Sequence, residues 1–174
     1  MKHFSKGMKR HYALLISSVL SSLLLTTGCA SPLPNLHSKY FSKYYDNVEQ
    51  SEGNNIDKEW DRFAGIPIEL NEDQFGKMIL RSSLPVLVEF SVTWCGYCEQ
   101  FKPIFGEIAQ EYVGKVRFAS INAEENKNLA SIMGVEVYPT FFLIKDGNVL
   151  DGWRGTKGGK YTVEKRLKSK LDIE

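Results

Sequence analysis

Two cysteines with two residues between them, Cys95 and Cys98, have the clearest capacity for chemistry in this sequence. An apolar run over residues 85–92 precedes them, and a helix-like pattern follows over residues 99–112. A strand that leads into a helix in this way places Cys95 at the helix N-terminus, where free backbone N–H groups and the helix dipole stabilise a thiolate. Cys98 lies one turn further along the same face, so the pair can close a disulfide and reopen it.

Glu89 is the second candidate, because it is a carboxylate within the apolar run before the cysteines. A buried carboxylate without a partner is unfavourable in its charged form, so the pKa of Glu89 should be raised. The alternative is that Glu89 only lines a water-filled cavity.

Other features accompany the cysteine pair: Trp94 comes directly before it, and Pro139 and Thr140 follow about forty residues later. Together with the apolar run, these features resemble the thioredoxin family, from about residue 66 to the end of the chain. The resemblance implies the thioredoxin fold and a thiol–disulfide oxidoreductase that acts on protein disulfides.

The resemblance also implies roles for individual residues. Cys95 attacks a substrate disulfide, Cys98 resolves the mixed disulfide, and Glu89 accepts the proton that Cys98 releases. Pro139 forms a cis-proline bond that faces the cysteines, and the backbone of Tyr138 pairs with a substrate strand.

The sequence departs from thioredoxin around this site. Ser120 stands where thioredoxin has a buried lysine beside the acid, which should leave the acid more strongly protonated. Gly96 and Tyr97 replace the Gly-Pro of thioredoxin and match the Gly-Tyr of bacterial disulfide isomerases, and Tyr138 replaces an isoleucine. We expect Trp94 and Tyr97 to present apolar surface to substrates.

Other chemistries have less support. A closed zinc site needs about four ligands, and after residue 28 the only Cys and His residues are Cys29, Cys95, Cys98 and His37. We therefore expect no metal and no cofactor. Residues 65–174 contain no histidine, so a Cys–His nucleophile would have no base there. Beside a reductase, two interpretations stay open: a disulfide oxidase or isomerase, and a non-catalytic binding or copper-delivery protein.

The first 28 residues have the pattern of a bacterial export signal. Basic residues precede an uncharged stretch over residues 12–28, which is too short and too rich in Ser and Thr to favour a transmembrane anchor. The residues that end at Cys29 resemble a lipoprotein signal, which implies a lipid on Cys29. The alternatives are a retained anchor and an ordinary signal that leaves Cys29 free. Ala30 resembles an outer-membrane sorting signal, if the host is Gram-negative.

Charge and location restrict the partners. The 174-residue chain has a net charge of +1, and residues 29–174 carry 18 basic against 21 acidic residues, so nothing suggests nucleic acid. We expect an extracytoplasmic protein, lipid-anchored on the periplasmic side of a bacterial membrane. Its partners are then the membrane, substrate proteins with disulfides or thiols, and a membrane redox protein that reduces or reoxidises the cysteine pair.

The remaining chain divides into a tether and a domain. Residues 29–64 contain loop-forming stretches around an aromatic helix face over residues 40–48, whose role in packing or partner contact stays open. Residues 65–174 alternate strand and helix patterns, with a hairpin at Asp146 and Gly147 followed by a terminal helix over residues 161–173. This pattern predicts an α/β domain with a mixed central sheet and helices on both faces.

Overall fold

Five strands form one sheet, and the chain alternates between these strands and the helices that cover them. The computed structural model describes residues 55–173, so the predicted export signal, Cys29 and the tether up to residue 54 lie outside the described residues. The helices are α1 (Asn55–Asp61), α2 (Glu72–Gln74), α3 (Gly96–Glu111), α4 (Lys127–Ile132) and α5 (Gly159–Leu171). The strands are β1 (Ile68–Glu69), β2 (Val86–Ser91), β3 (Arg117–Asn122), β4 (Thr140–Lys145) and β5 (Asn148–Arg154).

The sheet is mixed, as the sequence predicts. The strand order is β1-β3-β2-β4-β5. Strands β1 and β2 run parallel to β3, whereas β4 runs antiparallel to both β2 and β5. The predicted hairpin joins β4 to β5, and Asp146 and Gly147 have φ angles of 50° and 68°, which suit a tight two-residue turn.

The alternating side chains of β2 divide the core into two clusters. Val88 and Phe90 contact a cluster that includes α4 and a π-helical segment (Phe75–Ile79). Leu87 contacts a second cluster, to which α3 and α5 contribute. Strand β2 is therefore buried on both faces, as its apolar run predicts. Glu89 points to the same face as Leu87, toward α3, because side chains two apart on a strand share a face.

The packed domain begins before residue 65, whereas the sequence pattern assigns residues 55–64 to the tether. Trp60 of α1 is only 3% exposed, and its Nε1 donates a hydrogen bond to the Met78 carbonyl at 3.1 Å. Asp57 accepts a hydrogen bond from the buried Arg117 side chain at 2.5 Å. Burial acts to raise the pKa of Asp57, but hydrogen bonds from Arg117 and Ser83 outweigh it and hold that pKa below its usual value. A buried aromatic ring and a partly buried ion pair thus fix α1 to the sheet domain.

Among residues 55–173, no helix has both the length and the apolar character needed to cross a bilayer.

Candidate active site

Cys95 is the N-cap of α3, as the sequence predicts. A short turn follows β2, and in it the Cys95 N–H donates a hydrogen bond to the Val92 carbonyl at 3.2 Å. The Cys95 Sγ accepts a hydrogen bond from the Cys98 N–H at 3.1 Å. A sulfur in this position also faces the positive end of the helix dipole, so the site stabilises a thiolate at Cys95.

The cysteine pair is oxidised in this structure. The Sγ atoms of Cys95 and Cys98 are 2.11 Å apart, and their Cα atoms are 5.2 Å apart. The two residues are 7% and 5% exposed, respectively. The pair predicted to form a disulfide is therefore bonded, and little of it faces solvent.

Two large aromatic side chains next to the cysteines in the chain lie in solvent. Trp94 is 71% exposed and Tyr97 is 68% exposed. The Trp94 ring packs edge-on against Tyr138, with ring centroids 5.9 Å apart. The Tyr138–Pro139 bond is cis, as the resemblance implies. Gly96 is the first residue of α3. Trp94, Gly96 and Tyr97 are thus neighbours of the cysteines in the chain, and Tyr138 joins this group through its contact with Trp94.

Glu89 is a buried carboxylate with one unpaired oxygen. It is 4% exposed and lies in β2 between Ser120 of β3 and Phe141 of β4. Its Oε1 accepts no hydrogen bond from the described residues. Burial raises the pKa of Glu89 to about 7, while Lys102 opposes the rise and Glu99 adds to it. The predicted buried acid with a raised pKa is confirmed.

A cavity of about 320 Å³, partly open to solvent, lies beside Glu89 and Cys98. Ser120 lines it at the position where thioredoxin carries a lysine, and Glu99 and Lys102 line it from α3. We call this space the Glu89 cavity. A cavity of this size with charged side chains on its wall has room for water, and water can carry a proton between a thiol and a carboxylate. A lysine that the sequence analysis does not single out, Lys102, thus shares this cavity with the acid.

Trp94 has a polar contact that the sequence analysis does not predict. Its Nε1 donates to Glu124 Oε1 at 2.9 Å, and the Thr93 hydroxyl donates to Glu124 Oε2 at 2.9 Å. These hydrogen bonds, from Thr93 and then from Trp94, hold the pKa of Glu124 below its usual value. The signal in the sequence is an acidic residue two positions after the end of β3, a strand parallel to β2, because parallel neighbours end at the same edge of a sheet.

Within residues 55–173, no group of three or more His, Cys, Asp or Glu side chains is arranged to hold a metal ion.

Comparisons with known proteins agree with this geometry. The model of the thioredoxin family matches residues 66–169. The chain belongs to the thioredoxin family. It is 32% identical over 143 residues to the chloroplastic thioredoxin M5 of Oryza sativa subsp. japonica, which covers 82% of this chain and 74% of the relative. It is 42% identical over 82 residues to a thioredoxin of Rickettsia felis, which covers 47% of this chain and 78% of that relative.

The fold agrees with a solved thioredoxin as well. The crystal structure of thioredoxin F from spinach chloroplast, in its long form, is similar with a TM-score of 0.59 and 28% sequence identity. The similarity covers 64% of this chain and 92% of the spinach chain. The protein therefore has the thioredoxin fold, and it is a thiol–disulfide oxidoreductase of the thioredoxin type.

We predict that Glu89→Gln stabilises this thioredoxin-family protein, and more so at high pH. The folded-state pKa of about 7 lies above the usual 4.5, so folding favours the protonated acid. The contribution of protonated Glu89 to the free energy of unfolding is fully present below pH 4.5 and is lost as the pH rises through 7. At pH 8 the buried carboxylate costs on the order of 3 kcal/mol, which a neutral amide removes.

Urea unfolding of both proteins at pH 5 and pH 8 measures this effect. Glu69→Gln is the matched control, because Glu69 lines the same cavity but is exposed, and its substitution should change the free energy of unfolding little at either pH. An effect of Glu89→Gln that is equal at the two pH values would contradict the prediction.

Proposed function

We propose that this protein is a reductase of protein disulfides that acts outside the cytoplasm, with Cys95 as its nucleophile. The observation that supports the nucleophile most directly is the hydrogen bond from the Cys98 N–H to the Cys95 Sγ at the start of α3. Cys98 has no such placement, because its side chain lies one turn inside the helix. Cys95 is accordingly the sulfur with the better stabilised thiolate.

In the proposed reaction, the reduced protein transfers two electrons to its substrate. The Cys95 thiolate attacks one sulfur of a substrate disulfide, a bond forms between the two sulfurs, and the other substrate sulfur leaves as a thiolate. Cys98 then gives its proton to the Glu89 carboxylate, and its sulfur attacks the Cys95 Sγ. The Cys95–Cys98 disulfide closes, and the second substrate thiolate is released.

The exposed aromatic side chains supply the substrate-binding surface in this proposal. Trp94 and Tyr97 offer apolar area beside a nearly buried disulfide. An extended substrate segment can bind to the backbone at Tyr138 as an added strand, next to Pro139, which has no N–H. Gly96, the first residue of α3, adds no side chain of its own beside Cys95.

Serine variants of the two cysteines test the roles. Cys98→Ser should still attack a disulfide but cannot resolve the product, so a covalent adduct between Cys95 and the substrate should accumulate. Cys95→Ser should form no such adduct. In an assay with dithiothreitol as the electron donor, it should reduce insulin no faster than dithiothreitol alone. Mass spectrometry of each variant after reaction with insulin measures the adduct. Accumulation in Cys95→Ser instead would make Cys98 the nucleophile.

The direction of electron flow follows from the reduction potential. We expect a reduction potential of about −270 mV, as in thioredoxin, when the protein is equilibrated with glutathione. Such a protein in an oxidising compartment needs a membrane donor that reduces the cysteine pair again. Tyr97 and Tyr138, beside the sulfurs, differ from the residues that thioredoxin has there. A reduction potential of about −120 mV would assign the protein to the oxidases. Its membrane partner would then reoxidise the pair.

The proposed location rests on the sequence of the first 30 residues. We expect Cys29 to carry a lipid that anchors the domain to a bacterial membrane, on the periplasmic side and in the outer membrane if the host is Gram-negative. Expression in a bacterium with radiolabelled palmitate should label the protein in the membrane fraction, and Cys29→Ser should lose the label. Cys98→Ser serves as the control that keeps the label. An unlabelled, water-soluble parent protein would contradict the anchor.

A further inference from the structure

The charges that face Glu89 across its cavity are unevenly distributed. The titratable groups that line the Glu89 cavity with it are Glu69 of β1 and Cys98, Glu99 and Lys102 of α3. Strand β3 contributes only uncharged side chains, among them Ser120. Of the described residues that line this cavity, Lys102 alone is positively charged. Among the charged side chains that line this cavity, only Lys102 can therefore attract the Glu89 carboxylate.

The position of Lys102 on α3 suits that task. It lies four residues after Cys98, so the two side chains share one face of the helix. Within residues 55–173, Lys102 forms no salt bridge with another side chain, in contrast to Lys160, which binds Glu107 and Glu111. Its charge is therefore available to the cavity.

We propose that Lys102 is a positioning residue for the resolving step. It supplies, from α3, the positive charge that acts on Glu89, whereas Ser120 of β3 is uncharged. This inference rests on the proposed role of Glu89 as the acceptor of the Cys98 proton. With Lys102 present, more of the protein holds Glu89 as the carboxylate that can take the proton. Glu99, one turn of helix before it, acts with the opposite sign.

The test measures how the resolving step depends on pH. The reduced full chain is mixed with oxidised glutathione, which places Cys95 in a mixed disulfide, and the release of the second glutathione by Cys98 is followed between pH 5 and pH 9. The rate should rise with pH as Glu89 loses its proton. Lys102→Met should move the midpoint of this rise upward and Glu99→Gln should move it downward, each on the order of half a pH unit, or about threefold in rate at a fixed pH below the midpoint.

Two controls separate charge from structure. Lys102→Arg keeps the charge and should restore the midpoint of the parent protein. Lys168→Met removes the same charge from an exposed position near the end of α5, which does not line the cavity, and should move nothing. In about 1 M salt, where charges are screened beyond about 3 Å, the shifts should shrink.

Glu89→Gln distinguishes the two hypotheses. If this variant keeps the midpoint of the parent protein, the proposed role of Glu89 is wrong, and the inference about Lys102 is wrong with it. If the midpoint disappears in Glu89→Gln but neither Lys102→Met nor Glu99→Gln moves it, the inference about Lys102 is wrong and the role of Glu89 stands. Three results together would support the inference about Lys102. Lys102→Met and Glu99→Gln move the midpoint in opposite directions, salt weakens both shifts, and Lys102→Arg keeps the midpoint of the parent protein.

Discussion

The site depends on one constraint: the Cys95 sulfur must lie where the N-terminus of α3 meets the end of β2. The Cys98 N–H can then donate to that sulfur at 3.1 Å, and the helix dipole can act on it. Strand β2 holds this point in place, because it is buried on both faces between two apolar clusters. A sulfur moved by one residue in either direction would lose the hydrogen bond that stabilises its thiolate.

The same strand carries a group that opposes stability. Glu89 occupies a buried position that an apolar residue could fill, and its Oε1 has no hydrogen-bonding partner among the described residues. Burial in a medium of low dielectric constant disfavours the charged carboxylate and raises the pKa of Glu89 to about 7. Lys102, on the wall of the open cavity, opposes this rise. At this value the group can both gain and lose a proton near neutral pH, so the instability that it causes is linked to the capacity for proton transfer.

Much of this arrangement could be predicted from the sequence, because it depends on neighbours in the chain. The N-cap at Cys95, the buried acid in β2 and the cis bond before Pro139 all follow from local patterns or from the family motif that contains them. The contacts that escaped prediction join residues far apart in the sequence. Asp57 and Arg117 are 60 residues apart, and Trp94 and Glu124 are 30 apart. Local periodicity does not predict such pairs; the contact of Trp94 with Glu124 could be inferred only from the order of parallel strands in the sheet. The lipid on Cys29 stays a prediction, because Cys29 lies outside the described residues.

The contacts of Trp94 bear on how the proposed substrate surface works. An indole that is 71% exposed would ordinarily sample several rotamers, and ordering it on binding would cost about 0.5–1.5 kcal/mol. Here Glu124 accepts its N–H from one side and Tyr138 packs against its ring from another. The ring is thus ordered before a substrate arrives, although most of its area stays available for contact. Because these anchors lie outside the cysteine pair, a change in Glu124 should alter substrate binding more than the chemistry at Cys95.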